Sequence, residues 1–331
     1  MAEQLLRVEN VTKHFPVYSR GILLRKLVGE VHAVDGVSLS IDKGEIFGLV
    51  GESGCGKTTL GKVLLNLEPL QQGTMFFEGK DIMETLTNGS TEEKKYIRRN
   101  MQMVFQNPYG SLDPRMTVFD IISEPFLIHR HVPRKEWKDR VYKLLTMVGL
   151  EEYHAERYPH EFSGGQRQRI SIARALATEP KFVVADEPVS SLDVSIRAQV
   201  LVLLEKLSKE NGVSFLYISH DLSSVRQISR LVAVMYLGRI FEYATVDRIF
   251  EKPLNPYTIA LLSAVPVPDP ERKRTRIILP GDVPSPVNPP SGCRFNPRCP
   301  YAEQICRDKE PDLREIERGH FVACHFAEKF L

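Results

Sequence analysis

Residues 51–59 read Gly-Glu-Ser-Gly-Cys-Gly-Lys-Thr-Thr, set between an apolar run, Ile46–Val50, and a helical pattern that begins at Lys57. No other stretch restricts the fold so tightly. A strand that feeds a glycine-rich turn and then a helix is the architecture of a phosphate-binding loop. Glycines let successive backbone N–H groups converge on phosphate oxygens, and the helix adds its positive end. On this reading Gly51, Glu52, Ser53, Gly54, Cys55, Gly56 and Thr59 line the phosphates. Lys57 reaches the β- and γ-phosphates, and Thr58 gives its hydroxyl to Mg²⁺. ATP and Mg²⁺ are the expected ligands.

A second apolar run, Phe182–Asp186, ends on two acids, Asp186 and Glu187. Phosphoryl transfer asks mainly for positioning and charge stabilisation. One carboxylate for the metal, Asp186, and one for the attacking water, Glu187, is a sufficient division. Ser214–Ser219 is a third apolar strand. Strands each followed by a helical segment predict an α/β fold with a largely parallel sheet. Leu5–Val11, Val37–Ile41 and Thr74–Glu78 read as short strands of an antiparallel portion, and Thr117–Leu150 reads as mostly helical and without strands. Val17–Glu30, which mixes basic and apolar residues, is expected to be a surface loop, with contact to a membrane surface or a partner as the alternative.

The 331 residues carry a formal charge of only +2, which disfavours a nucleic-acid partner. No stretch approaches the roughly 18 apolar residues that cross a bilayer. Nothing at the start of the chain resembles a secretory signal, so a cytoplasmic setting is expected. Beyond Glu251, twelve of the 22 prolines fall between Pro253 and Pro300. Such spacing predicts an extended tail without helix or central strand. That tail holds Cys293, Cys299, Cys306 and Cys324, with five, six and seventeen residues between them. In a reducing compartment a cluster of this kind points to metal more than to disulfides. Four thiolates suit iron–sulfur or zinc, but the close Cys pairs usual in structural zinc sites are missing. Cys55, inside the phosphate loop, is not expected to be a ligand.

Four further segments resemble the ATPases of ABC transporters. Ser163-Gly164-Gly165-Gln166-Arg167 is similar to the family signature, and it stands before the Asp186–Glu187 strand, as in the family. Gln106, after the strand Met101–Phe105, resembles the Q-loop glutamine. Ser191-Leu192-Asp193 resembles the D-loop, and His220 the switch histidine. The resemblance implies a P-loop NTPase cassette with a mixed sheet, an antiparallel β portion and an inserted helical subdomain at about 107–178. It implies two ATPase subunits facing head to tail, so that Ser163, Gly164, Gly165 and Gln166 cover the γ-phosphate of ATP held by the partner. Asp193 would link the two sites across the interface. Gln106 would sense γ-phosphate and Mg²⁺, and His220 would hold the water and Glu187. Phe15 matches the aromatic that stacks on adenine, where tyrosine is more usual.

Asn107-Pro108-Tyr109, Asn255-Pro256-Tyr257 and the cysteine tail resemble oligopeptide and dipeptide permease ATPases, nearer the second of their two paired subunits. This implies a cassette at 1–252 and a C-terminal extension at 253–331. It also implies a [4Fe–4S] cluster on the four tail cysteines, with zinc the alternative. The implied partners are a second ATPase, which is usually a different subunit in this branch, and two transmembrane permeases. An extracytoplasmic binding protein would act indirectly. The setting would be the cytoplasmic face of the membrane. Rival readings are a soluble ABC ATPase acting on nucleic acid or ribosomes, a non-hydrolysing regulator, and an importer of sugars or metal.

Overall fold

A computed structural model describes residues 3–18, 26–265 and 277–331. These fall into two compact units: Met1–Leu6, Ser40–Ile46 and Phe76–Ile218 in one, Arg7–Leu39, Phe47–Met75 and Ser219–Leu331 in the other.

In the first unit three strands run parallel. Met101–Val104 pairs with Phe182–Asp186 in the register Met103↔Val184, and Phe182–Asp186 pairs with Ser214–Ser219 in the register Val184↔Leu216. Every residue of the last two strands is buried, which is why they read as unbroken apolar runs. The strand-free region is helical as expected: Val118–His129 packs against Trp137–Met147 and Gly164–Leu176. Helix Gly164–Leu176 starts with a reciprocal cap, in which Ser163 Oγ accepts from the Gln166 N–H and the Gln166 side chain accepts from the Ser163 N–H. Asp193 caps helix Val194–Asn211, which Gly212 ends in a left-handed turn.

In the second unit Ile46–Val50 lies parallel to Leu231–Tyr236, with Leu49 opposite Ala233. Leu231–Tyr236 turns back onto Arg239–Thr245 through Leu237 and Gly238, at φ 41° and 85°. Both values are positive, as a tight hairpin that keeps the strands' twist requires. Residues 27–39, 7–18 and 72–75, this unit's share of the strands Leu27–Asp42, Gln4–Tyr18 and Gln72–Phe77, lie side by side in that order. The first two are far longer than the sequence suggested, because strand continues through Tyr18 and resumes at Leu27. The centre of the expected loop, residues 19–25, lies outside the described residues.

The tail departs from its expected form. Pro256 opens the helix Pro256–Ser263, with Asn255 as its side-chain cap. At a first turn proline's fixed φ favours a helix, since no N–H is needed there. Farther on, Arg314–Glu317 and His320–Val322 add two strands beside Arg239–Thr245, with Glu242 opposite Val322. A buried network fixes this junction. The Glu242 carboxylate accepts from the Leu254 and Asn255 N–H groups and lies 2.7 Å from His320 Nε2. Asn255 Nδ2 donates to the carbonyls of Phe241 and Ala323. A buried carboxylate is tolerated when its lone pairs are engaged in this way. The proline run 266–270, expected to be extended, lies outside the described residues.

Candidate functional site

Within the second unit, the phosphate loop has the backbone its sequence demands. Gly54 and Gly56 stand at φ 79° and 109°. A Cβ on Gly56 would lie 1.8 Å from the Ala33 carbonyl oxygen, so only glycine fits there. Helix Lys57–Leu64 starts directly after Gly56. Lys57 is buried, and its Nζ donates to the Gly51 carbonyl at 2.8 Å and the Glu52 carbonyl at 3.0 Å. The lysine is thus curled along its own loop. Cys55 is buried, and burial pushes its thiol pKa up, so it behaves as inert packing. Ser53 is exposed, Thr58 and Thr59 are half-buried, and His220 is exposed just after its strand.

Phe15 is half-buried, with Lys13 Nζ 4.9 Å from its ring centre. Beside it His14 and His32 lie 4.0 Å apart by ring centres. Burial, and then His32, lower the His14 pKa. These two and Asp35 are the three potential metal ligands gathered within 4.8 Å of one another among the described residues. Asp35, however, is paired with Arg294 and faces Arg239 at 3.8 Å, so its charge is already answered.

Within the first unit, buried Asp186 ends its strand and Glu187 follows at φ 44°, a left-handed conformation unusual for a residue with a side chain. The Glu187 N–H is held by the Ile218 carbonyl at 2.9 Å. Gln106 Nε2 donates to Glu187 Oε2 at 2.8 Å, which joins two residues 81 positions apart. Strain that surrounding bonds maintain at a strand end fits a carboxylate aimed for chemistry. In the signature segment, a Cβ on Gly165 would come within 2.3 Å of Ile196 Cγ2, so the helix approaches its neighbour closely. Asp193 accepts from the Ile196 N–H and the Ser195 hydroxyl, and these bonds hold its pKa down. In the described chain its carboxylate therefore caps a helix.

The four tail cysteines line one small cavity whose walls include Phe241, Phe295 and Phe330. Burial pushes Cys293 up to about 12 and Cys324 up to about 11. Binding a metal would displace their protons. Four thiols around one cavity are a donor set that either an iron–sulfur cluster or a zinc ion would accept.

Sequence reasoning missed how the extension meets the phosphate loop. Arg298 forms two bonds to the Glu52 carboxylate, at 2.8 and 3.2 Å, and the Glu52 N–H donates to Tyr257 Oη at 3.0 Å. Two arginines between the first two tail cysteines were the available hint; nothing local names their partners.

The chain matches the family described as ABC transporter over residues 34–190, and the oligopeptide/dipeptide transporter C-terminal region over 241–306. It is 52% identical to the oligopeptide transport ATP-binding protein AppF of Bacillus subtilis (strain 168), covering 98% of this chain and 97% of that one. Identity to the dipeptide transport ATP-binding protein DppF of Escherichia coli (strain K12) is 46%, over 98% and 95%. Among solved structures, a post-hydrolysis dimer of the ATP-binding cassette MJ0796 with ADP and Pi superposes with a TM-score of 0.63. It is 28% identical and covers 73% of this chain and 99% of that one.

Proposed function

We propose that this chain, which belongs to the ABC transporter family and is one of its ATPases, powers the import of dipeptides or oligopeptides across a membrane. The observation that carries the cargo class is the extent of the likeness. It runs through the cassette and the extension to relatives named for peptide transport. No helix among the described residues is long and apolar enough to cross a membrane. The chain would thus act through separate permease subunits and with a second ATPase subunit.

In this reading the phosphate loop grips the triphosphate, with Lys57 swinging from the Gly51 and Glu52 carbonyls to the β- and γ-phosphates. Mg²⁺, when bound, would be held by Thr58, Gln106 and Asp186, as the family resemblance implies, and would offset charge on the triphosphate. Glu187 orients water and takes its proton as the oxygen–phosphorus bond forms and the bond to the ADP oxygen breaks. His220 steadies that arrangement, and Phe15 stacks on adenine. Ser163 to Gln166 cover the γ-phosphate of ATP held by the partner subunit, with the N-terminal end of their helix turned to it. Deleting the gene should abolish uptake of labelled dipeptides and tripeptides. The intact chain should restore it and the Glu187→Gln chain should not. Undiminished peptide uptake, with loss of sugar or metal uptake instead, would reassign the cargo.

We further infer that Cys293, Cys299, Cys306 and Cys324 hold a [4Fe–4S] cluster, which when bound cross-links a tail with little core of its own. Protein purified without oxygen should be brown and carry about four iron and four sulfide per chain. A colourless chain holding zinc would overturn this assignment.

A further inference from the structure

Arg298 is almost fully buried, although it lies in a tail that the sequence presents as peripheral. Its guanidinium forks onto both oxygens of Glu52, and Nη1 also lies 3.4 Å from Tyr236 Oη. Glu52 is in fact held at three points. Arg298 takes its carboxylate, Tyr257 Oη accepts from its N–H, and Lys57 donates to its carbonyl. The last contact matters because Lys57 is the phosphate-binding lysine, and the position of the Glu52 carbonyl sets where that lysine rests.

The support beneath is equally fixed. Tyr236, Tyr257 and Phe295 pack as an aromatic cluster, with ring centres 4.6 to 5.5 Å apart. Phe295 and Arg298 both lie in the segment between Cys293 and Cys299. Arg294, in the same segment, donates to the Leu237 carbonyl and pairs with Asp35. The Gly238 N–H in turn donates to the Cys55 carbonyl at 2.8 Å, which is phosphate loop again. One short stretch of the extension therefore grips the loop directly and also grips the hairpin turn on which the loop rests.

Charge adds a second consequence. A triphosphate approaching this loop meets a carboxylate within it, and a bare Glu52 would repel it. The bidentate guanidinium cancels that charge and fixes its geometry, which a lysine point charge does less well.

We propose that Arg298 is a positioning residue for ATP binding: the C-terminal extension neutralises Glu52 and holds the phosphate loop in its binding shape. The proposal rests on the reading of Gly51–Thr59 as the phosphate loop. Mg–ATP affinity and steady-state kinetics on the full-length chain, assembled with its partner subunits, test both. Arg298→Ala should weaken Mg–ATP binding about tenfold, and KM should rise in step. At saturating ATP, kcat should stay within about twofold, because loop closure by excess nucleotide restores the site. Loss of folded protein alone would instead lower kcat and leave KM unmoved.

Adding Glu52→Gln to Arg298→Ala removes the exposed charge and should recover most of the lost affinity; losses that simply add would overturn the coupling. Arg298→Lys keeps the fold and the charge and should lose about threefold. If it and Glu52→Gln both bind as tightly as the native chain, the clamp is wrong. Lys57→Ala separates the two readings. If it loses ATP while every Arg298 and Glu52 variant binds normally, only the clamp falls. If Lys57→Ala itself binds normally, the phosphate-loop reading falls with it.

Discussion

Exchanging Glu187 for Gln should lower kcat for ATP hydrolysis by about 10³-fold, within the range for loss of a general base, while Mg–ATP binding changes little. The geometry makes this a clean chemical test. The residue follows a fully buried strand, its N–H is fixed on the Ile218 carbonyl, and its left-handed φ is held by that setting. Glutamine has almost the same shape and can keep a hydrogen bond to Gln106, so the backbone has no reason to move. An amide, however, cannot take a proton from water. The substituted chain should therefore bind ATP, pair with its partner subunit and stay paired. Phosphate release and ATP-dependent association, measured together, check both halves. An unchanged rate would remove Glu187 from the base role and leave proton transfer to another group.

The second large effect is expected from Lys57→Ala, which should weaken Mg–ATP binding by about 10²-fold through loss of a partly desolvated charge. Lys57 is buried and bridges two loop carbonyls, so its loss also leaves acceptors unpaired. That should lower stability by about 1–3 kcal/mol, and thermal unfolding without nucleotide measures this part separately. The diagnostic quantity is the rise in melting temperature caused by added Mg–ATP. The native chain should show a clear rise and the alanine chain almost none at the same concentration. A full rise would show that the lysine is a structural strut and not a phosphate ligand.

Sequence made the chemistry legible where it is local. The glycine spacing at 51–56 and the buried strands Ile46–Val50 and Phe182–Asp186 are short-range patterns, and the backbone follows them. Ser163 and Gln166, read as a signature, also form a capping box that any helix start could use. The tail was harder for a physical reason. Proline counts predict extended chain, but Pro256 stands at the one helical position where proline is favourable. His320–Val322 is too short for an alternation signal, and it is a strand because Arg239–Thr245 offers it an edge. His320 and Glu242 are 78 residues apart, and Arg298 and Glu52 are 246 apart. Pairings at such distances leave no trace in a sequence window, and only the folded chain reveals them.

The buried carboxylate of Glu242 has a consequence for the timing of folding. Its bond to His320, and the seating of Arg298 on Glu52, use residues that lie beyond the cassette and are made after it. Until they emerge, Glu242 stands on an edge strand and lacks one of its partners, and the loop lacks its brace. Nascent chains should therefore gain nucleotide competence in a single step once the segment carrying Arg298 and His320 has emerged, and not gradually as the cassette is made.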